Sequence, residues 1–167
     1  VNQFRSNTSM KAEIITIGDE LLIGQVVDSN SAWLAEQLNL IGIQVHQITS
    51  ISDSQDHILH TLNEASERVD LILITGGLGP TKDDITKQTL CEFFNTDLVF
   101  DDESFKNVEH LFRQRGFEVT ELNRKQAEVP AKSTPLKNPN GTAPGMWFEE
   151  SGKIYVSMPG VPFEMKP

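Results

Sequence analysis

Gly76, Gly77 and Gly79 lie in one short segment, TGGLGPTKDD (Thr75 to Asp84), that also supplies hydroxyls, a cation and two adjacent carboxylates. Glycines let the backbone turn through positive φ and bring N–H groups up to an anion without side-chain obstruction. A helix opening behind them adds its positive end. This is the chemistry of a phosphate cradle, with Thr81 and Lys82 as further donors. Asp83 and Asp84 repel each other unless a cation or solvent separates them. Beside a phosphate they suit Mg²⁺, which takes one or two carboxylates plus phosphate oxygens. The plain alternative stays open: a strand-to-helix turn in which either aspartate caps the helix and both complement its dipole.

Four other stretches repeat the pairing of a bend with polar groups. Gly18-Asp19-Glu20 is a glycine bend followed by two acids, and as structure alone it is a capped turn. Asp28-Ser29-Asn30 offers polar atoms to a ligand or simply caps a helix. Asn140-Gly141-Thr142-Ala143-Pro144-Gly145 presents N–H groups to an anion or joins an edge strand to a hairpin. Pro159-Gly160-Val161-Pro162 closes the set. Other chemistries find no support. No Gly-Lys-Ser/Thr follows the glycines, and GGLGPTKDD lacks GxGxxG spacing. No Gly-x-Ser-x-Gly elbow is present, and Cys91 sits in the apolar helical pattern TLCEFF. His57 and His60 are three apart on a helix but have no carboxylate at ligand spacing, so they read as surface residues; His46 and His110 add no ligand pattern. Trp33 and Trp147 read as core or interface residues.

The elements that must position these groups alternate strand and helix. Lys11 to Ile17 is β-branched and ends at Gly18, a strand entering a turn. Ser29, Asn30 and Ser31 are candidate caps for a helix carrying Trp33, Leu34, Leu38 and Ile41, with Gly42 as its stop. Ile43 to Ile51 alternates as a second strand, and Asp53 is the expected cap of a helix carrying Ile58, Leu59, Leu62 and Ala65. Val69 to Ile74 is a continuous apolar run, the mark of a parallel strand covered on both faces. From Asp84 a third helix runs through Leu90, Phe93 and Phe94. Asp101 or Asp102 opens a fourth, through Phe105, Val108, Leu111 and Phe112, which stops at Gly116. A short helix spans Glu121 to Glu128, before Pro130. Met146 to Glu149 and Lys153 to Met158 flank Glu150-Ser151-Gly152 as a hairpin. The pattern predicts a doubly wound α/β sheet with a mixed edge. If the strands before Gly18, Gly76 and Pro159 are parallel, their loops converge on one crevice at the carboxyl edge.

The chain of 167 residues has room for one domain, Met10 to Pro167, with Val1 to Ser9 as a disordered leader or expression remnant. A formal charge of −10 disfavours nucleic acid as a partner. No apolar run approaches the roughly 20 residues of a membrane helix. The single cysteine cannot form an intramolecular disulfide, which points to a reducing compartment and the cytoplasm.

In order along the chain, GDELLIGQVVDSN, TGGLGPTKDD, NRKQAEVP, NGTAPG and MPGVPFEM resemble the N-terminal domain of the competence/damage-inducible CinA family, within the molybdopterin-binding-like superfamily. The match runs from about Lys11 to Lys166. The resemblance implies a three-layer α/β/α domain with a mostly parallel mixed sheet, usually dimeric. It also implies a metal-dependent pyrophosphatase that splits ADP-ribose into AMP and ribose 5-phosphate. The superfamily's glycine motif falls on Gly76, Gly77 and Gly79 and its motif aspartate on Asp84. Asp83 stands where cofactor-assembly relatives often carry Arg, which weakens any transfer of their adenylyl chemistry. Full-length members often continue into a deamidase domain, so the end at Pro167 reads as a truncation.

On this reading Asp84, Asp83 and Asp19 hold a divalent metal, in the first place Mg²⁺, and Glu20 is the base. The diphosphate rests on Gly76, Gly77, Gly79, Gly141 and Thr142. Gly18, Thr81, Lys82 and Gly145 complete the phosphate site, and Asn30 with Pro159, Gly160 and Pro162 meets ribose or base. The alternative is a module that binds a pterin or nucleotide without turning it over.

Overall fold

The computed structural model describes residues 10–77 and 83–165, and of Asp83 and Asp84 the backbone alone. The leader expected over Val1 to Ser9 lies outside these residues. Strands β1 (Lys11–Ile17), β2 (Gln44–Ile51), β3 (Leu71–Gly76), β4 (Leu98–Phe100), β5 (Glu128–Pro130), β6 (Thr134–Leu136), β7 (Gly145–Glu150) and β8 (Lys153–Met158) are joined by helices. These are α1 (Asp19–Leu22), α2 (Ser29–Leu40), α3 (Gln55–Arg68), α4 (Asp83–Phe93), α5 (Asp102–Gln114), α6 (Glu121–Arg124) and α7 (Pro162–Met165), with a 3₁₀ turn at Lys125–Ala127.

Six strands form one sheet in the order β2-β1-β3-β8-β7-β6, while β4 and β5 make a small separate pair. β2, β1, β3 and β8 run parallel, β7 pairs antiparallel with β8, and β6 pairs antiparallel with β7. The sheet is therefore mixed and mostly parallel. Alternation along the strands divides the core into two layers. Ile15 and Ile17 of β1 with Ile72 and Ile74 of β3 pack under Ile58 and Leu62 of α3 and Leu90 of α4. Ala12, Ile14, Leu71 and Leu73 face the other way, onto Leu34 and Leu38 of α2. Phe94 stacks on Phe148 at 4.1 Å and meets Tyr155 edge-on at 5.0 Å, tying the end of α4 to the returning hairpin. Both tryptophans pack partly buried against the α2 layer.

A carboxylate sits inside this core. Glu13, fully buried, receives Arg68 Nε at 2.8 Å and Nη2 at 2.9 Å, and the Thr49 hydroxyl at 2.9 Å. The Glu13 carboxylate in turn raises the Arg68 pKa, chiefly by hydrogen bonding.

Several boundaries differ from the sequence expectation for identifiable reasons. β3 starts at Leu71, because the Val69 N–H still bonds the Ala65 carbonyl and closes α3. Asp28, rather than Ser29 to Ser31, caps α2 by accepting the Ser31 N–H at 3.0 Å. α2 stops at Leu40, leaving Ile41 exposed beyond it. Ser54, rather than Asp53, is the residue that precedes α3. Pro130 closes β5 instead of breaking a helix, because the 3₁₀ turn has already ended the helical path at Ala127. The hairpin turn is Ser151-Gly152, both at positive φ, as the twist of two-residue turns requires.

Candidate functional site

Because β1, β2, β3 and β8 are parallel, their carboxyl ends share one edge, and the loops after them meet there. A cavity of about 340 Å³ opens at this edge. Of the residues expected to bind or react, Glu20, Asn30, Gly76, Gly77, Gly160 and Pro162 line it. Each arrives by a different route.

β3 ends in Gly76 at φ 99°, and Gly77 follows at φ 68°. A Cβ on Gly76 would strike the Ile17 carbonyl oxygen, so only glycine lets β3 turn this close to β1. Gly160 approaches from β8 so nearly that its own Cβ would lie 2.8 Å from the Gly76 Cα. Two backbones thus touch beside the cavity. Asn30 enters from the first turn of α2, whose cap at Asp28 fixes its position. Its Nδ2 donates to Thr75 Oγ1 at 3.2 Å and to the Gly160 carbonyl at 2.8 Å. The Thr75 hydroxyl donates onward to the Pro159 carbonyl at 3.1 Å. Glu20, exposed on α1, folds its carboxylate back over Gly18 into space that a side chain there would fill.

The remaining expected residues are placed differently. The Gly18 N–H is occupied by the Ile51 carbonyl at 3.0 Å, so this amide closes the β1–β2 ladder and does not face a phosphate. Asp19 does not line the cavity; its Oδ1 lies 3.4 Å from the Asp53 N–H. The Gly141 N–H donates to Asn138 Oδ1 at 3.0 Å, and Asn138 Nδ2 reaches Glu164 at 3.0 Å, so this loop is stitched to α7. Thr142 lines a second cavity of about 420 Å³, between α5 and the loop before β7, with Lys106, Asn107 and His110. Gly145 is a buried strand residue paired with Leu136 rather than part of an open loop. Pro159 contributes its carbonyl to Thr75. Gly79, Thr81 and Lys82 lie outside the described residues, as do the side chains of Asp83 and Asp84, whose backbone opens α4 at the same edge.

Sequence reasoning passed over Thr75 and Asp53. Thr75 is buried at the end of an otherwise aliphatic strand, LILIT, and that lone hydroxyl next to the glycines was the available signal. Asp53 follows a parallel strand and reaches the carboxyl edge beside Asp19. His57, expected at the surface, is exposed and pairs with Ser52 Oγ at 2.6 Å. No described helix is long and apolar enough to cross a membrane.

A mostly parallel sheet with a glycine turn and a cavity at its carboxyl edge is the arrangement in which α/β domains commonly place their ligand sites. Residues 13–167 match the family described as "Probable molybdopterin binding domain". The chain is 51% identical over 160 residues to a CinA-like protein of Cytophaga hutchinsonii, covering 96% of this chain and 38% of that protein. A CinA-like protein of Flavobacterium psychrophilum is 50% identical over 158 residues, again with 38% of its length covered. The chain thus spans well under half of these curated relatives. The crystal structure of CinA from Thermoplasma acidophilum superposes with a TM-score of 0.84 at 34% identity, covering 95% of this chain and 92% of that one. The tungsten cofactor synthesizing protein MoaB from Pyrococcus furiosus, at 18% identity and a TM-score of 0.60, shares the fold. The chain belongs to the CinA-like family of molybdopterin-binding-type domains.

Proposed function

We propose that this domain hydrolyses the diphosphate of ADP-ribose, or of a closely related nucleoside diphosphate sugar, to AMP and ribose 5-phosphate. The observation that carries the reading is the cavity at the carboxyl edge, where a glycine turn free of side chains shares one hollow with the Glu20 carboxylate and the Asn30 amide. The turn would take the diphosphate by its backbone N–H groups. Glu20 would take a proton from the attacking water, whose oxygen bonds to phosphorus as the bridging P–O bond breaks. The leaving phosphate carries the electron pair away.

A divalent cation such as Mg²⁺ fits the donor set of this edge. Hard carboxylate oxygens are its preferred protein ligands, and Asp19 and Glu20 are exposed there. Among the described residues no three His, Cys, Asp or Glu side chains cluster, so phosphate oxygens and water would complete the shell. Asp84, with Asp83 and Asp19, would hold the ion. When bound, it polarises a phosphoryl oxygen and lowers the pKa of a bound water.

Incubation with ADP-ribose and Mg²⁺, with AMP followed by chromatography, tests the reading. Asp84→Asn is expected to slow release at least about 100-fold, the upper range for disturbing a metal centre. Equal rates would remove Asp84 from the reaction. No AMP with any of Mg²⁺, Mn²⁺ or Co²⁺ would leave a binding module, which the family's description also favours, and calorimetry with ADP-ribose and pterin phosphates would then identify its ligand.

The same reading includes a homodimer. It is supported by β2, an eight-residue edge strand without Asp, Glu, Lys or Arg, which carries exposed Ile48 and is preceded by exposed Leu40 and Ile41. A monomer by sedimentation at high protein concentration would remove it.

A further inference from the structure

We propose that the cavity beside α5 is a second ligand site, which takes a phosphate group through Lys137, Lys106 and Ser104. The cavity measures about 420 Å³ and shares no described lining residue with the one at the carboxyl edge. Its occupant is therefore a separate small molecule.

The hollow is pre-formed. α5 supplies one wall, and the stretch from Pro135 to Pro144 supplies the other. Asn107 clamps the two together, its Nδ2 donating to the Asn138 carbonyl at 2.8 Å and to the Gly141 carbonyl at 3.0 Å. Walls fixed before binding spare a ligand the cost of ordering them.

The acids that line this hollow are already engaged, and its donors are not. Asp101 caps α5, accepting the Ser104 N–H at 2.7 Å. Glu103 holds the Lys106 ammonium at 2.6 Å, but both side chains are well exposed, and an exposed pair contributes little. A dianion draws that ammonium away at small cost. Lys137, on the opposite wall, has no hydrogen-bond or ion-pair partner among the described residues. The Ser104 side chain is 9% exposed, and its hydroxyl likewise has no partner among the described residues. Unlike Asn30 Oδ1, that hydroxyl is not one of the atoms sealed from solvent, so a ligand in the cavity reaches it.

Two ammonium groups and a hydroxyl, drawn from facing walls, call for an anion with oxygens pointing in several directions. A tetrahedral phosphate offers these, whereas a carboxylate has only two oxygens in one plane. Pro135 and Pro144 add apolar surface for the carbon part of a phosphate monoester. A chain of net charge −10 repels anions in general, so attraction here is a property of these side chains alone.

Binding of inorganic phosphate and of ribose 5-phosphate is measured by calorimetry in EDTA, which removes any metal that could carry phosphate to another place. At least one of them is expected to bind saturably at millimolar concentration or below; the tighter of the two identifies the occupant as free ion or monoester. Lys137→Glu is expected to weaken it at least about tenfold. Ser104→Ala removes a hydroxyl that holds nothing in the fold and is expected to weaken it about fivefold. Lys132→Glu makes the same change in net charge at an exposed lysine outside the cavity and is expected to leave affinity unchanged. No saturable binding overturns the site. Equal losses in Lys137→Glu and Lys132→Glu overturn it as well, because the anion then senses net charge only. Affinity unchanged in both Lys137→Glu and Ser104→Ala puts the phosphate elsewhere and overturns the assignment.

Discussion

Glu13 and Asn30 are both buried polar side chains that bridge the same sheet to a helix, and they are treated in opposite ways. Glu13, on the α3 face, is met on both oxygens by Arg68 and on one also by Thr49. Asn30, on the α2 face at the carboxyl edge, has both amide protons engaged and its oxygen left over. Complete satisfaction is what a structural polar group needs, because a half-paired group in low dielectric destabilises the fold. Asn30 differs in standing at the rim of a cavity, where the local structure is not closed by its own partners. The size of the neighbouring cavity does not decide this: the one of about 420 Å³ beside α5 exceeds that beside Asn30, yet Asn138 on its wall is bonded at both its oxygen and its nitrogen.

The contrast can be broken by substitution, and the largest effect falls where the Asn30 network is anchored. Gly76→Ala adds strain at φ 99° and a clash with the Ile17 carbonyl, and is expected to cost about 3–5 kcal/mol in urea unfolding. A cost under about 1 kcal/mol would mean that the strand ends are not packed as described. Glu13→Ala leaves Arg68 with only Glu64, 3.9 Å away; since Arg68 is 29% exposed, water recovers part of the loss, and about 3 kcal/mol is expected. Affinity for ADP-ribose in the folded fraction should not change, and a parallel loss of affinity would blur the distinction between the two groups. Asn30→Ala removes two hydrogen bonds and is expected to cost about 1–2 kcal/mol of stability in the same urea titration. Thr120→Ala lies in neither network. It breaks the capping box of α6 at a cost of about 1 kcal/mol without changing ligand binding. Smallest of all is the behaviour of Cys91, whose thiol pKa is pushed up by burial and then by Asp97. A raised pKa lowers the thiolate fraction at pH 8, so alkylation there is expected to be slower than for free cysteine.

Much of this was legible in the sequence because the polar motifs sit directly after apolar runs. LILIT before GG and KAEIITI before GDE place the chemistry at strand ends, and parallel pairing then gathers those ends on one edge. What escaped depends on partners distant in the chain. Gly145 looks like loop among Asn, Thr and Pro, and only Leu136 across the ladder makes it strand. β4 and β5 are three residues each, too short to show a period. Nothing local shows that Asn138 will reach Glu164, or that Thr75 will orient Asn30.

The contact between Gly76 and Gly160 has a mechanical meaning. Neither position has a side chain that can swing aside, so the two segments meet as bare rails with no cushion between them. Pressure on the turn after β3 is transmitted to the start of the loop that leads into α7, and the reverse holds. Hydrogen exchange should therefore report one shared opening event for the two segments: a group seated on either one registers on both at once.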